Sequence, residues 1–425
     1  MNLYAPLISP RSTRLLTLNP GDFEDDVIAT LAEVDLAERP SYEAVSYTWD
    51  PPGSERQIIV NGVTRRIRQN LWQGLRRIRR KHAARTLWID AISISQTDLL
   101  EKGEQVAKIG EIFSAAERVL VWVGEHDMSS EKLFTRRSLR ENAEWFAQQF
   151  SLRLADRISK GTSMSRRPMW WIWRRFLNRP YFRRTWIVQE TAHAKAIVVC
   201  CGGDSKDWAE LIGSRIKPQD TARNDKHHTI YNRIRNSHSF TLPISHVAEL
   251  QKLRLQYHRA SYLSLQRYRN FGALNRTIIE LIRSFSVTEC VDKRDKVYAL
   301  LSLVYPPLPI RPDYTKSVAD VYVAICRCVW GENKKVNRGD AATAKIFLDL
   351  DVAENSQLLE RLLTDDSNEF SHDEKVVFVE VIITYNNLEL SPRHRLPIKL
   401  IKRGTEYLNK LDPPVYPMPD RLASS

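Results

Sequence analysis

The sequence predicts an α/β fold, with a mostly parallel central sheet flanked by helices and a mainly helical C-terminal region. Three observations predict it. Residues 87–125 (LWIDAISISQTDLLEKGEQVAKIGEIFSAAERVLVWVGE) read strand, turn, helix, strand. Both strands of that unit are apolar throughout, the pattern of parallel strands covered by helices on both faces. Two further strand-like runs, Tyr42–Tyr47 and Ile197–Cys201, lie on either side of it in the chain.

Taken in order, Arg14–Leu18 and Val27–Leu31 are short strands around the turn-forming Asn19-Pro20-Gly21. Tyr42–Tyr47 (YEAVSY) runs into a loop imposed by Pro51 and Pro52. Gln57–Val60 and Val63–Ile67 flank Asn61-Gly62, a pair suited to a type I′ hairpin turn. Asn70 is placed to cap a helix whose Leu71, Leu75 and Ile78 share one face. The opposite face carries Arg76, Arg77, Arg79, Arg80 and Lys81, which reads as a solvated face or a phosphate-binding one. Leu87–Ile89 ends on Asp90. Asp98 with Glu101 three residues on resembles a capping box. Val106, Ile109, Phe113 and Ala116 then give one amphipathic helix, and Val119–Val123 the next strand, closed by Gly124.

Residues 125–160 read as charged helix and 159–168 as a polar break. An aromatic cluster follows, with Trp170, Trp171, Trp173, Phe176, Tyr181 and Phe182. Trp186–Ala194 reads as helix, Ile197–Cys201 as a buried strand, and a helix begins near Asp207. Lys217–Ser239 is a basic loop. Leu250–Phe285 is mostly helical, Asp292–Leu303 (DKRDKVYALLSL) is an amphipathic helix, and Val318–Trp330 is another. Lys375–Thr384 is an apolar, strand-like run, and 412–425 a Pro-rich tail expected to be disordered.

The chain has 425 residues, enough for two or more domains or one with long insertions. Its eleven Trp and its hydrophobic content exclude a wholly disordered chain. The net charge of +13 is spread along the chain rather than gathered in a tail, which favours general solubility over a dedicated nucleic-acid surface. The five Cys include no CxxC pair, so reduced thiols fit better than a disulfide framework or a zinc knuckle. The N-terminus lacks a signal-peptide pattern, and no run of about 18 apolar residues occurs. These features predict a cytoplasmic protein without a transmembrane segment. No GxxxxGK[ST] occurs, so P-loop chemistry is not expected.

The pieces resemble the fungal heterokaryon incompatibility (HET) domain. The residues that carry the resemblance are YEAVSYTW, the Asn-Gly hairpin, Asn70-Leu71, LWIDAISISQ, Asp98 to Val106 and VLVWVGE, in that order. RPYFRRTWIVQE, the strand ending at Cys201-Gly202, DKRDKVYALLSL and PDYTKSV resemble the usual continuation of such proteins. The resemblance implies a HET domain over residues 1–212, with core motifs at 42–201 and a variable insertion at about 126–168. It implies a helical extension over 213–330, and leaves 331–425 as a poorly defined C-terminal region. The chain departs from the usual pattern at Asp50, where Gly is usual, and at Ser93 and Ser95, where Cys and Asn are usual. The implied function is fungal nonself recognition and programmed cell-death signalling, through protein partners and self-association rather than nucleic acid.

The strand and helix order is also similar to Toll/interleukin-receptor (TIR) domains. In that likeness YEAVSY is the first strand, LWIDAISI the second and VLVWVGE the third. Trp186 and Glu190, four apart and so on one helix face, resemble the TIR pattern in which the Glu is catalytic. Some TIR domains cleave NAD at the nicotinamide–ribose bond. A single carboxylate suits that reaction, because it stabilises an oxocarbenium-like transition state. The resemblance thus makes Glu190 the candidate catalytic group, with Ser46, Trp49, Asp90 and Trp186 lining a substrate pocket at strand ends. NAD would be the substrate, and no cofactor or metal is required. The competing reading makes Trp186 a core anchor, Glu190 an ion-paired residue on an ordinary helix, and Asp90 a cap. A further alternative is a non-catalytic module that works by oligomerising.

Other constellations are weaker. Trp88 and Trp122 read as core. His193 with Cys200 and Cys201 could suggest a nucleophile pair, but the thiols sit in an apolar strand where inert, buried Cys is usual. His227-His228 has no ligand partners at metal spacing.

Overall fold

The computed structural model describes residues 4–135, 169–213, 242–263, 277–305, 307–330, 338–364, 369–386 and 396–410. The expectations for 136–168, 217–239 (with His227-His228) and the 412–425 tail lie outside the described residues. The chain divides into two compact units. One holds residues 1–274 with 287–290, and the other holds 275–286 with 291–425.

The first unit is built on one nine-stranded sheet. Its strands are β1 (Ser12–Leu18), β2 (Ile28–Asp35), β3 (Glu43–Tyr47), β4 (Glu55–Val60), β5 (Val63–Arg68), β6 (Arg85–Trp88), β7 (Val119–Trp122), β8 (Ile197–Cys201) and β9 (Asp204–Asp207). Their order across the sheet is β5-β4-β2-β1-β6-β3-β7-β8-β9. The centre, β6-β3-β7-β8, is parallel. The flanks are largely antiparallel, with β1 against both β2 and β6, β4 against β5 and β8 against β9. The sheet is therefore mixed rather than mostly parallel. Short links such as Asn61-Gly62 and Gly202-Gly203 can only make hairpins, whereas the central strands are joined by helical crossovers. Asn61 and Gly62 have φ of 52° and 76°, as the type I′ turn requires.

Every residue of β3 and β7 is buried; β7 is an unbroken apolar run, whereas β3 also buries Glu43 and Ser46. Val45 and Tyr47 of β3 point into a core shared with Leu71, Leu75 and Ile78 of the Gln69–Ile78 helix. Ser46, one residue out of phase, points to the opposite face, where the Ile187–His193 helix packs. Trp88 and Trp122 are core residues at 1% exposure, and their indole N–H groups donate to Thr13 Oγ1 and Asn70 Oδ1.

Local details differ from the sequence reading where a tertiary partner intervenes. Asn70 is not a cap. The helix starts at Gln69, and the Asn70 amide instead donates to the Thr48 carbonyl while accepting from Trp122. Asp98 does cap its helix through the Leu100 and Glu101 N–H groups. Glu101 completes no capping box, because its carboxylate turns to Arg14 at 2.6 Å and to Ser95 N. The single helix expected after Asp98 is two, Leu99–Ala107 and Ile109–Ala115, separated at Lys108. Strand β9 precedes the helical turn expected at Asp207. The basic helix face is fully engaged: Arg76 pairs with Glu24, Arg77 with Glu125, Arg80 with Glu43 and Lys81 with Asp22. Arg79 donates to the carbonyls of Asp22, Asp25 and Asp26.

The second unit is helical throughout its described residues. Val318–Trp330 forms as its sequence predicts. The Asp292–Leu303 segment is two short pieces, Asp295–Tyr298 and Leu301–Leu303, with Val297, Leu300 and Leu303 buried. The apolar run at 375–384 is not a strand but lies within the His372–Asn386 helix. Val377, Phe378, Val379, Val381 and Ile382 are all buried, so this helix is covered around most of its girth. A helix apolar on most sides shows no 3.6-residue period to separate it from a strand. Among the described residues no helix is long and apolar enough to cross a membrane.

Candidate functional site

The carboxyl ends of the parallel strands bring together residues distant in sequence. Ser46 lies near the end of β3, Asp90 opens a one-turn helix just beyond β6, and Glu190 sits within the Ile187–His193 helix. The Ser46 hydroxyl donates a short hydrogen bond to Glu190 Oε2 and pairs with the Tyr181 hydroxyl at 2.9 Å. Since the single Ser46 proton goes to Glu190, Tyr181 is the donor to Ser46. Arg184 faces both Glu190 oxygens, with Nη1 and Nη2 each at 3.5 Å. Asp90 accepts from Trp49 Nε1 at 3.0 Å, from its neighbour Ala91 N at 2.8 Å, and from the Tyr47 hydroxyl.

The supporting structure is well anchored. Thr185 N donates to the Glu289 carbonyl, Glu289 N donates back to Arg183, and the Thr185 and Thr288 hydroxyls bond at 3.0 Å. These bonds flank Arg184 and hold its backbone. At the other end of the Glu190 helix, Arg254 of the Leu242–Leu263 helix donates to the carbonyls of Thr191, Ala194 and Lys195. Those carbonyls would otherwise lack partners at a helix terminus.

Burial dominates the electrostatics. Glu190 is 5% exposed, and burial pushes its carboxyl above the usual carboxylate range, while Arg184 and Ser46 pull it back. Burial likewise pushes Asp90 up, against Arg184 and its three donors. The Tyr47 and Tyr181 hydroxyls are driven up by burial first and by the neighbouring carboxylates second. Burial disfavours the Arg184 cation, but Glu190 and Asp90 together outweigh it and hold the guanidinium charged. The cluster is thus one fixed cation between two partly desolvated carboxyl groups.

Of the sequence candidates, Ser46 and Glu190 meet directly, and Trp49 meets Asp90. Trp49 is 39% exposed and marks the solvent side. The Trp186 side chain is half-buried, and its carbonyl accepts from Glu190 N at 3.2 Å. Sequence reasoning did not single out Tyr47, Tyr181 or Arg184. The signal for the last two was their place in RPYFRRTW, within nine residues of Glu190. A hollow of about 400 Å3 opens nearby on the loop after β3, lined by Asp50, Ser54, Gln69, Asn70, Gln73 and the two prolines. Ser46, Asp90 and Glu190 are not among its lining residues.

The other candidates behave as structure. Burial pushes the Cys200 thiol up to about 11 and raises Cys201, which leaves neither a ready nucleophile. Burial brings His193 down to about 4, and its ring packs on Tyr257. Among the described residues no group of three His, Cys, Asp or Glu could hold a metal ion.

Comparison with known proteins agrees with the motifs. Residues 42–190 match the family described as "Heterokaryon incompatibility protein (HET)". A Neurospora crassa protein, "Heterokaryon incompatibility protein 6, OR allele", is 25% identical over 373 residues, covering 76% of this chain and 52% of that protein. The chain therefore spans about half the length of that relative. No solved structure matches. The matched segment begins at β3 and ends on Glu190, and so the part of the chain that is similar to the heterokaryon incompatibility (HET) family contains the whole Ser46–Asp90–Arg184–Glu190 cluster.

Proposed function

We propose that this chain acts in fungal heterokaryon incompatibility, as a cytoplasmic nonself-recognition protein whose HET domain drives programmed cell death through protein partners. The observation that carries this reading is the coincidence of the family match with the buried Ser46–Arg184–Glu190 cluster at the carboxyl end of β3. A segment that keeps two carboxyl groups and an arginine under desolvation retains them at a stability cost. Inducible expression in a filamentous fungus tests the reading. Loss of viability that depends on residues 42–190 is the expected result, and unaffected growth of cells carrying confirmed full-length protein refutes it.

A second reading makes the domain an NAD glycohydrolase of TIR-like mechanism. It is supported by the parallel strand order β6-β3-β7-β8, in which β3 precedes its neighbours in the chain and connections leave on both sides. Open α/β sheets bind ligands at that switch point, beyond the carboxyl ends of the strands, where Ser46, Asp90 and Glu190 stand. In the reaction the ribose C1′–nitrogen bond breaks, and nicotinamide leaves with the electron pair. Water adds to C1′ and its proton is released, giving ADP-ribose. Glu190 would stabilise the developing cation. Nicotinamide release by concentrated protein, lost in E190Q, is the expected result. Cell killing by E190Q equal to the parent, with no release by either, leaves the non-catalytic oligomerising module instead.

A further inference from the structure

The Arg184–Glu190 pair presents a physical difficulty for any reaction that builds positive charge beside Glu190. A guanidinium 3.5 Å from both carboxylate oxygens would stand within a few ångströms of that charge. Like charges at such range in a partly buried site oppose each other by a factor on the order of a hundred in rate. The pair is held loosely. Both contacts are 3.5 Å, whereas the Arg14–Glu101 bridge of the same unit closes to 2.6 Å. Glu190 also has its own short donor in Ser46, and Asp90 has three donors besides any help from Arg184. Both carboxylates therefore stay hydrogen-bonded if the guanidinium turns away. Arg184 keeps 13% of its side chain exposed, against 6% for Glu190, so the guanidinium is the less enclosed partner.

We propose that Arg184 is the anion-recognition residue of this site, resting on Glu190 in the free protein and released from it by a ligand that carries a phosphate or diphosphate alongside a cationic or cation-forming centre. Binding is then an exchange of partners. The Arg184–Glu190 contact is replaced by Arg184 to phosphate and Glu190 to the ligand's positive centre, with no net loss of ion pairing. A guanidinium suits the phosphate half, because its planar fork matches two phosphate oxygens. The exchange also makes the substrate's own anion the key that frees Glu190, so a ligand without phosphate meets an occupied carboxylate. This deepens the NAD glycohydrolase reading and rests on it for the ligand's second half. The anion-binding half stands on geometry alone.

Direct binding separates the two. Inorganic pyrophosphate is titrated into full-length wild type, E190Q and R184Q by calorimetry, with no turnover required. Wild type is expected to bind. E190Q is expected to bind about tenfold tighter, because the competing carboxylate is gone, and R184Q to lose at least tenfold. If R184Q folds poorly, the double variant E190Q/R184Q, which leaves no unpaired carboxylate at position 190, takes its place. Equal binding by wild type and the Arg184 variants overturns the proposal, as does the absence of binding in E190Q. Absence of nicotinamide release with the expected binding pattern sinks the glycohydrolase reading and leaves the anion site standing.

Discussion

Replacing Arg184 by Gln tests how the buried cluster is balanced. The substitution removes the cation that faces Glu190 among the described residues; the Glu190 side chain is 6% exposed against 13% for Arg184. Breaking a buried pair by deleting one partner costs about 3–5 kcal/mol. The 3.5 Å contacts put this case at the low end, about 3 kcal/mol. For a unit of this size that corresponds to a fall in Tm of about 10 °C. The pH dependence gives the sharper check. The Glu190 carboxyl is already raised in the folded protein, so the folded state holds its proton more tightly than the unfolded chain. Its contribution to stability is full below the ordinary carboxylate pKa and is lost as pH rises toward the folded value. Removing Arg184, which pulls Glu190 down, widens that window upward. R184Q should therefore lose more stability at about pH 8 than at about pH 5. E190Q/R184Q should recover most of the loss and its pH dependence. Thermal melts followed by tryptophan fluorescence report all of this. An equal loss at both pH values, or a double variant as unstable as R184Q, would refute the reasoning.

Further outcomes follow from other parts of the first unit. Gly202 has φ of 53°, and a Cβ there would lie 2.3 Å from His126 Cδ2, so Gly202→Ala should cost about 1–3 kcal/mol in denaturant melts. Asn70→Ala strips the Trp122 indole N–H and the Thr48 carbonyl of their partner, and should cost about 1–3 kcal/mol by the same measurement. Cys200, with its thiol pushed up to about 11, should escape alkylation in native protein at mildly alkaline pH and react only after unfolding, read by peptide mass spectrometry. Because Arg76 and Arg77 are already paired with Glu24 and Glu125, the double change to Gln should leave retention on DNA unaltered once moderate salt is present.

What the sequence determined by itself was whatever local pattern can carry. The β4–β5 hairpin was legible because Asn61-Gly62 allows the positive φ that its turn needs. The central strands were legible because burial on both faces demands an unbroken apolar run, as in β7. The Asp98 cap was legible because it involves neighbours in the chain. The ordered set of motifs also carried the resemblance to the HET family, which the family match over residues 42–190 bears out, while the likeness to TIR domains drew attention to Ser46, Asp90 and Glu190.

The tertiary structure decided the rest, because partners far apart in sequence compete with local rules. Glu101 gave up its capping box for Arg14, and Asn70 gave up a cap for Thr48 and Trp122. The 375–384 run became helix because it is buried around most of its girth, which erases its period. No spacing in the sequence says that Ser46 reaches Glu190 across 144 residues, or that Arg184 stands between Glu190 and Asp90. Those contacts exist because strand order places the carboxyl ends of β6 and β3 beside the helix that precedes β8. The residue types supplied the charges, and the crossovers of the sheet decided which of them share a desolvated space.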